Sequence, residues 1–229
     1  MTTWLRLGSV TELAAQAPEA QSWMTEGELA RLAAMQSARR RGQFVAGRWL
    51  ARTLLAEAFG GVWQAWTLTG GADAPPAASG PVPASLSISH SGGLVACAVS
   101  AAMLGLDLEP CRARKELDAL YGAITTDVER ATLASHTAAP ADTVHSFAHA
   151  WTLKEAALKR HGGGLFATML GHALGIEAAS GAQDANACTW LHDGHVLALC
   201  ADDLRAVTAP GMPLPRYWRL MPSGTAPQP

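Results

Sequence analysis

The sequence predicts a mixed α+β (α/β) protein of two similar lobes, and three observations lead there. Helical periodicity dominates two long stretches, and short apolar runs bounded by turn residues fill the spaces between them. One arrangement also occurs twice, around Arg48 and around Lys154: a helix with spaced basic residues, then glycine, then apolar strands.

The first helical stretch runs from Glu26 to Phe59. Leu29, Leu32, Ala33 and Met35 recur at helical spacing, Phe44, Leu50, Leu54 and Leu55 form a second set, and Gly60 and Gly61 end it. Gly70 to Pro83 is rich in Gly, Pro and Ala and reads as a surface loop. Strands follow at Leu86 to Ser89, Leu94 to Ser100 and Leu104 to Leu108, with Ser91-Gly92-Gly93 reversing the chain between the first two. Beyond Pro110 the pattern is helical at Lys115 to Tyr121 and at Asp127 to Ser135, where Thr126 can cap the second helix, and Thr137 to Ala141 reads as a loop.

The second long stretch, Thr143 to Arg160, stops at Gly162-Gly163-Gly164, and Leu158 is expected on its buried face. Cys188 to His192 and Val196 to Ala201 flank Asp193-Gly194, which is hairpin-turn chemistry. The tail from Ser223 is expected to fray.

Composition narrows the function. A chain of 229 residues that is 49% hydrophobic can bury a substantial core. Its net charge of −2 provides no domain-wide basic field, and the Arg39-Arg40-Arg41 run is short, so nucleic acid is not an expected partner. Cys97, Cys111, Cys188 and Cys200 form no CxxC pair, which with the lack of a secretion signal points to a reducing cytoplasm. The most apolar run, Val95 to Leu106, is well short of the roughly 20 residues needed to cross a bilayer.

Four groups of residues carry possible chemistry. In Gly105-Leu106-Asp107-Leu108-Glu109-Pro110 the two carboxylates stand at i and i+2, on one face of a strand whose leucines face the other way. Such a pair suits a hard divalent cation, and it also suits a solvated strand edge. On the second long helix Trp151, Glu155 and Lys159 are spaced i, i+4, i+8 and share a stripe, which fits a catalytic carboxylate and ammonium or an ordinary surface ion pair. Ser87-Ile88-Ser89-His90-Ser91-Gly92-Gly93 offers hydroxyls, an imidazole and a glycine turn to an anion, or simply a polar hairpin end. Arg39, Arg40, Arg41, Arg48 and Arg52 crowd the first long stretch; guanidinium forks match phosphates, and basic helix faces are also commonly just solvated. His145 and His149 lack the acid and third ligand of a zinc hydrolase, and neither a nucleophile elbow nor a P-loop is present.

Taken in order, S-I-S-H-S, then G-L-D-L-E, then W-T-L-K-E-A-A-L-K before a glycine run resembles the Sfp-type phosphopantetheinyl transferases, as does the Gly47 to Leu54 helix. The resemblance spans residues 39 to 166. It implies the 4′-phosphopantetheinyl transferase fold, with lobes 1–105 and 106–229 in pseudo-twofold arrangement and the active site in the cleft between them. It further implies transfer of the 4′-phosphopantetheine group of coenzyme A to a serine of an acyl- or peptidyl-carrier protein, with Mg²⁺ and release of 3′,5′-ADP.

Carried over by motif, Asp107, Glu109 and Glu155 would hold Mg²⁺, with Asp107, Glu155 and Lys159 as the catalytic groups. Arg41, Arg48, Ser89, His90 and Lys159 would contact the coenzyme. Lys154 is a further candidate, although it points about 100° away from Glu155 on a helix, and Glu129 resembles an acid that some members place near the metal. Many relatives carry a basic residue where this chain has Ser79-Gly80-Pro81. A monomer is expected, since no coiled-coil pattern calls for an oligomer. The competing expectations are a non-catalytic coenzyme A or carrier-protein binding module and a Mg²⁺-dependent phosphatase acting on small nucleotides.

Overall fold

In the computed structural model, which describes residues 1–70, 75–137, 142–162 and 174–222, eleven strands and six α-helices divide between two compact units. The expected tail from Ser223, residues 138–141 of the expected loop, and Gly163 and Gly164 lie outside the described residues.

The first unit comprises Met1–Leu106 and Ala206–Pro210. Its sheet is built from β1 (Thr3–Ser9), β4 (Ser85–Ser91), β5 (Leu94–Ser100) and β10 (Val207–Thr208), in the order β10-β1-β5-β4. Both β1 and β4 run antiparallel to β5, and Val207 and Thr208 pair in parallel with Thr3 and Trp4. The β4–β5 reversal turns at Gly92, whose φ of +59° a side chain would disfavour. β2 (Thr67–Thr69) pairs with β3 (Ala77–Ser79), so part of the stretch read as loop is strand.

Three helices complete this unit: α1 (Val10–Gln16), α2 (Glu26–Ala34) and α3 (Ala38–Phe59). The Glu26 to Phe59 stretch is thus two helices. Met35 ends the first, and the Ser37 hydroxyl caps the second by accepting from Arg40 N at 3.4 Å. Leu50, Leu54 and Leu55 of α3 pack with Trp66, Leu68, Val95, Cys97 and Val99. Gly47 allows this close approach, since a Cβ there would come within 3.1 Å of Ile88 Cγ2.

Arg52 does not reach solvent. Its guanidinium grips Glu28 at 2.6 and 3.1 Å and donates to Trp66 O at 3.1 Å. It is therefore a buried strut between α2 and α3 rather than a phosphate ligand.

The second unit comprises Asp107–Arg205 and the chain from Gly211 onward. Its five-stranded sheet has the order β6-β9-β8-β11-β7, from β6 (Leu104–Pro110), β7 (Leu174–Ala178), β8 (Ala187–His192), β9 (His195–Ala201) and β11 (Arg216–Pro222). β8 and β9 close through Asp193 and Gly194, which both have positive φ, as a two-residue primed turn requires.

α5 (Asp127–His136) and α6 (Thr143–His161) pack against this sheet, and α4 (Leu117–Ile124) packs on α6. Thr126 and Glu129 form a capping box at α5, and Gly162 in the left-handed conformation ends α6. Phe147, Ala150, Leu153 and Ala157 of α6 meet Ile176, Ala198, Trp218 and Leu220 in the core. Leu158 is only half-buried, which shifts the expected buried face of α6 towards Leu153 and Ala157.

His149, on α6, is 2% exposed and lies 6.1 Å from the Trp218 ring. Burial, with lesser contributions from Arg216 and His145, pushes its pKa from 6.5 down to about 3. The folded protein therefore holds His149 neutral. Stability is intact above pH 6.5 and falls as the pH drops towards 3, by about 1.4 kcal/mol per unit for this one proton. Urea midpoints measured from pH 7 to pH 4 are expected to fall less steeply in a His149→Phe variant than in the native protein. Parallel curves would mean that His149 already carries its charge in the fold.

Candidate active site

Alternation along β6 places Leu106 and Leu108 in the core and turns Asp107 and Glu109 to the other face. Along α6 a single stripe of i+4 steps carries Phe147, Trp151, Glu155 and Lys159. The two sets meet within the second unit. Lys159 Nζ lies 2.6 Å from Asp107 Oδ1, and both Asp107 and Glu155 are nearly buried.

Burial and then Asp107 push the Glu155 carboxyl up to about 7; Lys159 opposes the rise and Glu109 adds to it. Glu109 is also raised, by burial and then by Asp107, while Arg114 and Lys159 pull it back. Arg114 donates to Glu109 Oε2 at 2.7 Å. Three carboxylates thus feel one another's charge in a partly dry environment, with two cationic side chains set among them.

Among the described residues no three His, Cys, Asp or Glu side chains stand in an arrangement that could hold a metal ion. The donor set itself suits one, because mutually repelling carboxylates are relieved by a hard divalent cation, and Mg²⁺ takes oxygen ligands. On that chemistry Asp107, Glu109 and Glu155 have the oxygen donors that the ion implied by the motifs would take, although their side chains are not gathered around one point.

Glu129 and Lys154 pair with each other away from this group. Glu129 accepts from Thr126 N at 2.6 Å and Ile176 N at 3.0 Å, and its Oε1 lies 3.3 Å from Lys154 Nζ. Lys154, 1% exposed, also donates to Ile124 O. Both are thereby accounted for by the packing of α5, α6 and β7.

In the first unit a pocket of 180 Å³ is lined by Arg31, Arg40, Phe44, Arg48, Ile88 and His90, among others. Arg48 is buried there, donating to Thr69 O at 3.2 Å, with its guanidinium 5.1 Å from the Phe44 centroid. Arg41 does not line this pocket; its guanidinium donates to Met35 O at 2.8 Å and closes the break between α2 and α3. Ser89 is likewise separated from His90, because successive strand residues face opposite ways and only Ile88 and His90 reach the pocket. Strand alternation alone could have separated them in the sequence.

Gly80 lies against the indole of Trp66, where a Cβ would come within 2.3 Å of Cε3. A side chain at that position would have to displace the Trp66 ring. A larger cavity of the second unit, 570 Å³ between α4, α5 and α6, is lined by Tyr121, Arg130 and Ser146 and contains none of the motif residues.

Residues 103–206 match the model of the 4′-phosphopantetheinyl transferase superfamily. The matched segment is just under half of the chain and contains Asp107, Glu109, Glu155 and Lys159. No curated protein matches the chain in sequence. Two solved structures show a slight likeness to it. Holo-[acyl-carrier-protein] synthase from Neisseria meningitidis is 17% identical over 43% of this chain and 94% of its own, with a TM-score of 0.35. The Helicobacter pylori holo-[acyl-carrier-protein] synthase in complex with coenzyme A is 12% identical over 43% of this chain and 97% of its own, with a TM-score of 0.34. Likenesses of this order leave the fold of the chain to rest on its own strands and helices.

Proposed function

We propose that this protein is a magnesium-dependent phosphopantetheinyl transferase of the Sfp type, which moves the 4′-phosphopantetheine group of coenzyme A onto a carrier-protein serine. The observation that carries the reading is the meeting of the α6 stripe with the β6 carboxylates, where Lys159 Nζ lies 2.6 Å from Asp107 Oδ1.

Asp107, Glu109 and Glu155 would hold Mg²⁺, which when bound supplies positive charge for the coenzyme's pyrophosphate. Glu155, whose proton affinity burial and then Asp107 raise, is the carboxylate proposed to accept the proton of the carrier serine hydroxyl. The serine oxygen forms the new bond to the β-phosphorus, the bond from that phosphorus to the bridging oxygen breaks, and 3′,5′-ADP leaves. The Lys159 ammonium, on the same stripe as Glu155, would stabilise the charge that builds on the departing phosphate. In the first unit, the pocket with Arg40, Arg48 and His90 has the donors for a phosphate group.

The test is the intact mass of several apo-carrier proteins incubated with the protein, coenzyme A and Mg²⁺, with and without EDTA. A gain of one phosphopantetheine mass that EDTA abolishes is expected. No gain on any carrier, combined with measurable coenzyme A binding, would replace the transferase by a non-catalytic binding module.

A further inference from the structure

Arg114 belongs to none of the motifs, yet its surroundings are specific. It lies in the loop between β6 and α4, where its guanidinium donates to Glu109 Oε2 at 2.7 Å. The guanidinium carbon lies 5.3 Å from the Phe147 ring centroid and 5.5 Å from that of Trp151. Those two rings are one helical turn apart on α6, with centroids 5.7 Å apart, and Phe147 is itself fixed edge-on against Tyr121.

A planar cation resting on two aromatic faces loses little further freedom when it bonds a carboxylate, so the contact holds Glu109 at low entropic cost. It engages Oε2 and leaves Oε1 without a protein hydrogen bond among the described residues.

We propose that Arg114, seated on Phe147 and Trp151, is a positioning residue that fixes the Glu109 carboxylate for ion binding. This assignment rests on the ion-site reading given above. It also gives the motif tryptophan a role: Trp151 acts on the site through Arg114, from the same stripe that carries Glu155.

Two accounts of Arg114 differ in sign. If the arginine merely neutralises Glu109, removing its charge should tighten the binding of a divalent cation, because a competing and repelling cation has gone. If it positions Glu109, removal should weaken binding, as loss of a partner that orients a metal ligand usually does, by about 10- to 100-fold.

The experiment is a titration of the full chain with Mn²⁺, followed by the paramagnetic resonance of the unbound ion. Arg114→Gln is expected to weaken Mn²⁺ binding at least tenfold, and Arg114→Lys, which keeps the charge but not the planar stack, to fall in between. Trp151→Leu is expected to weaken binding in the same direction, and adding Arg114→Gln to it should change little further, since both remove one coupled device. Thermal melting of each variant checks the fold, and the lysine variant keeps the test decisive should glutamine loosen the loop. Mn²⁺ affinity in Arg114→Gln equal to or above that of the native protein would overturn the assignment. Failure of the native protein to bind Mn²⁺ at all would instead overturn the ion-site reading, and the assignment with it.

Discussion

Glu155→Gln is expected to lower phosphopantetheinyl transfer by on the order of 10³-fold or more while leaving the protein folded. The glutamine is close in shape, yet it can neither take up the serine proton nor offer an anionic oxygen to an ion. Its effect on stability has the opposite sign to its effect on rate. The folded-state pKa of Glu155 is raised from 4.5 to about 7, so the fold favours the protonated carboxyl. The stability this group contributes is therefore fully present below pH 4.5 and is lost as the pH rises through 7.

At pH 8 the native protein carries a buried carboxylate repelled by Asp107 and Glu109, and the glutamine variant does not. The variant should melt at or above the native temperature at pH 8, and the difference should vanish towards pH 4. Single-turnover transfer, together with melting at both pH values, checks the two halves. A variant that retains a tenth or more of the native rate would remove Glu155 from the proton-transfer role. A variant that melts far lower at pH 8 would mean that its carboxylate holds the fold together.

The parts of this molecule legible from the sequence are those governed by local rules. Helix α5 begins where Thr126 and Glu129 stand three apart, and α6 ends where Gly162 supplies a left-handed residue. The β8–β9 hairpin turns on Asp193-Gly194. The α6 stripe and the β6 carboxylates could be read as two separate patterns, because helix and strand periods place side chains without any knowledge of the partner element.

What was not legible depends on partners far away in the chain. β1 pairs with β5 some ninety positions on, and β10 is two residues whose only reason to be a strand is the edge of β1. Arg52 and Arg48 are alike in the sequence and both lie against Glu28, Arg52 at 2.6 Å and Arg48 at 3.7 Å; what separates them is that Arg48 also lines the first unit's pocket and Arg52 does not. Arg114 carried no signal beyond its charge; Phe147, four residues before Trp151, was the available hint that an aromatic platform existed there.

The pair Glu129 and Lys154 gives the largest expected effect on stability. Lys154 immediately precedes Glu155, so on a helix the two point about 100° apart, and anchoring one sets the direction of the other. Burial drives the Lys154 pKa down while Glu129 holds it up, so an ammonium in this setting depends on its carboxylate. Glu129→Gln keeps one oxygen, enough to complete the cap with Thr126, and removes both the charge and the acceptor for Ile176 N. It leaves a 1% exposed lysine without its anion, which costs about 3–5 kcal/mol.

Adding Lys154→Met should recover the part of that loss due to the uncompensated charge, because the methionine fills the same volume without one, and leave the part due to the lost Ile176 N acceptor. Chemical denaturation of the two single variants and the double variant yields the coupling between them, expected to be well above 1 kcal/mol. The same variants also decide where Glu129 belongs. As a packing residue it should lower stability in Glu129→Gln without a matching loss of Mn²⁺ affinity at a temperature where the variant remains folded. A native melting curve combined with weakened Mn²⁺ binding would instead make Glu129 a fourth carboxylate of the ion site.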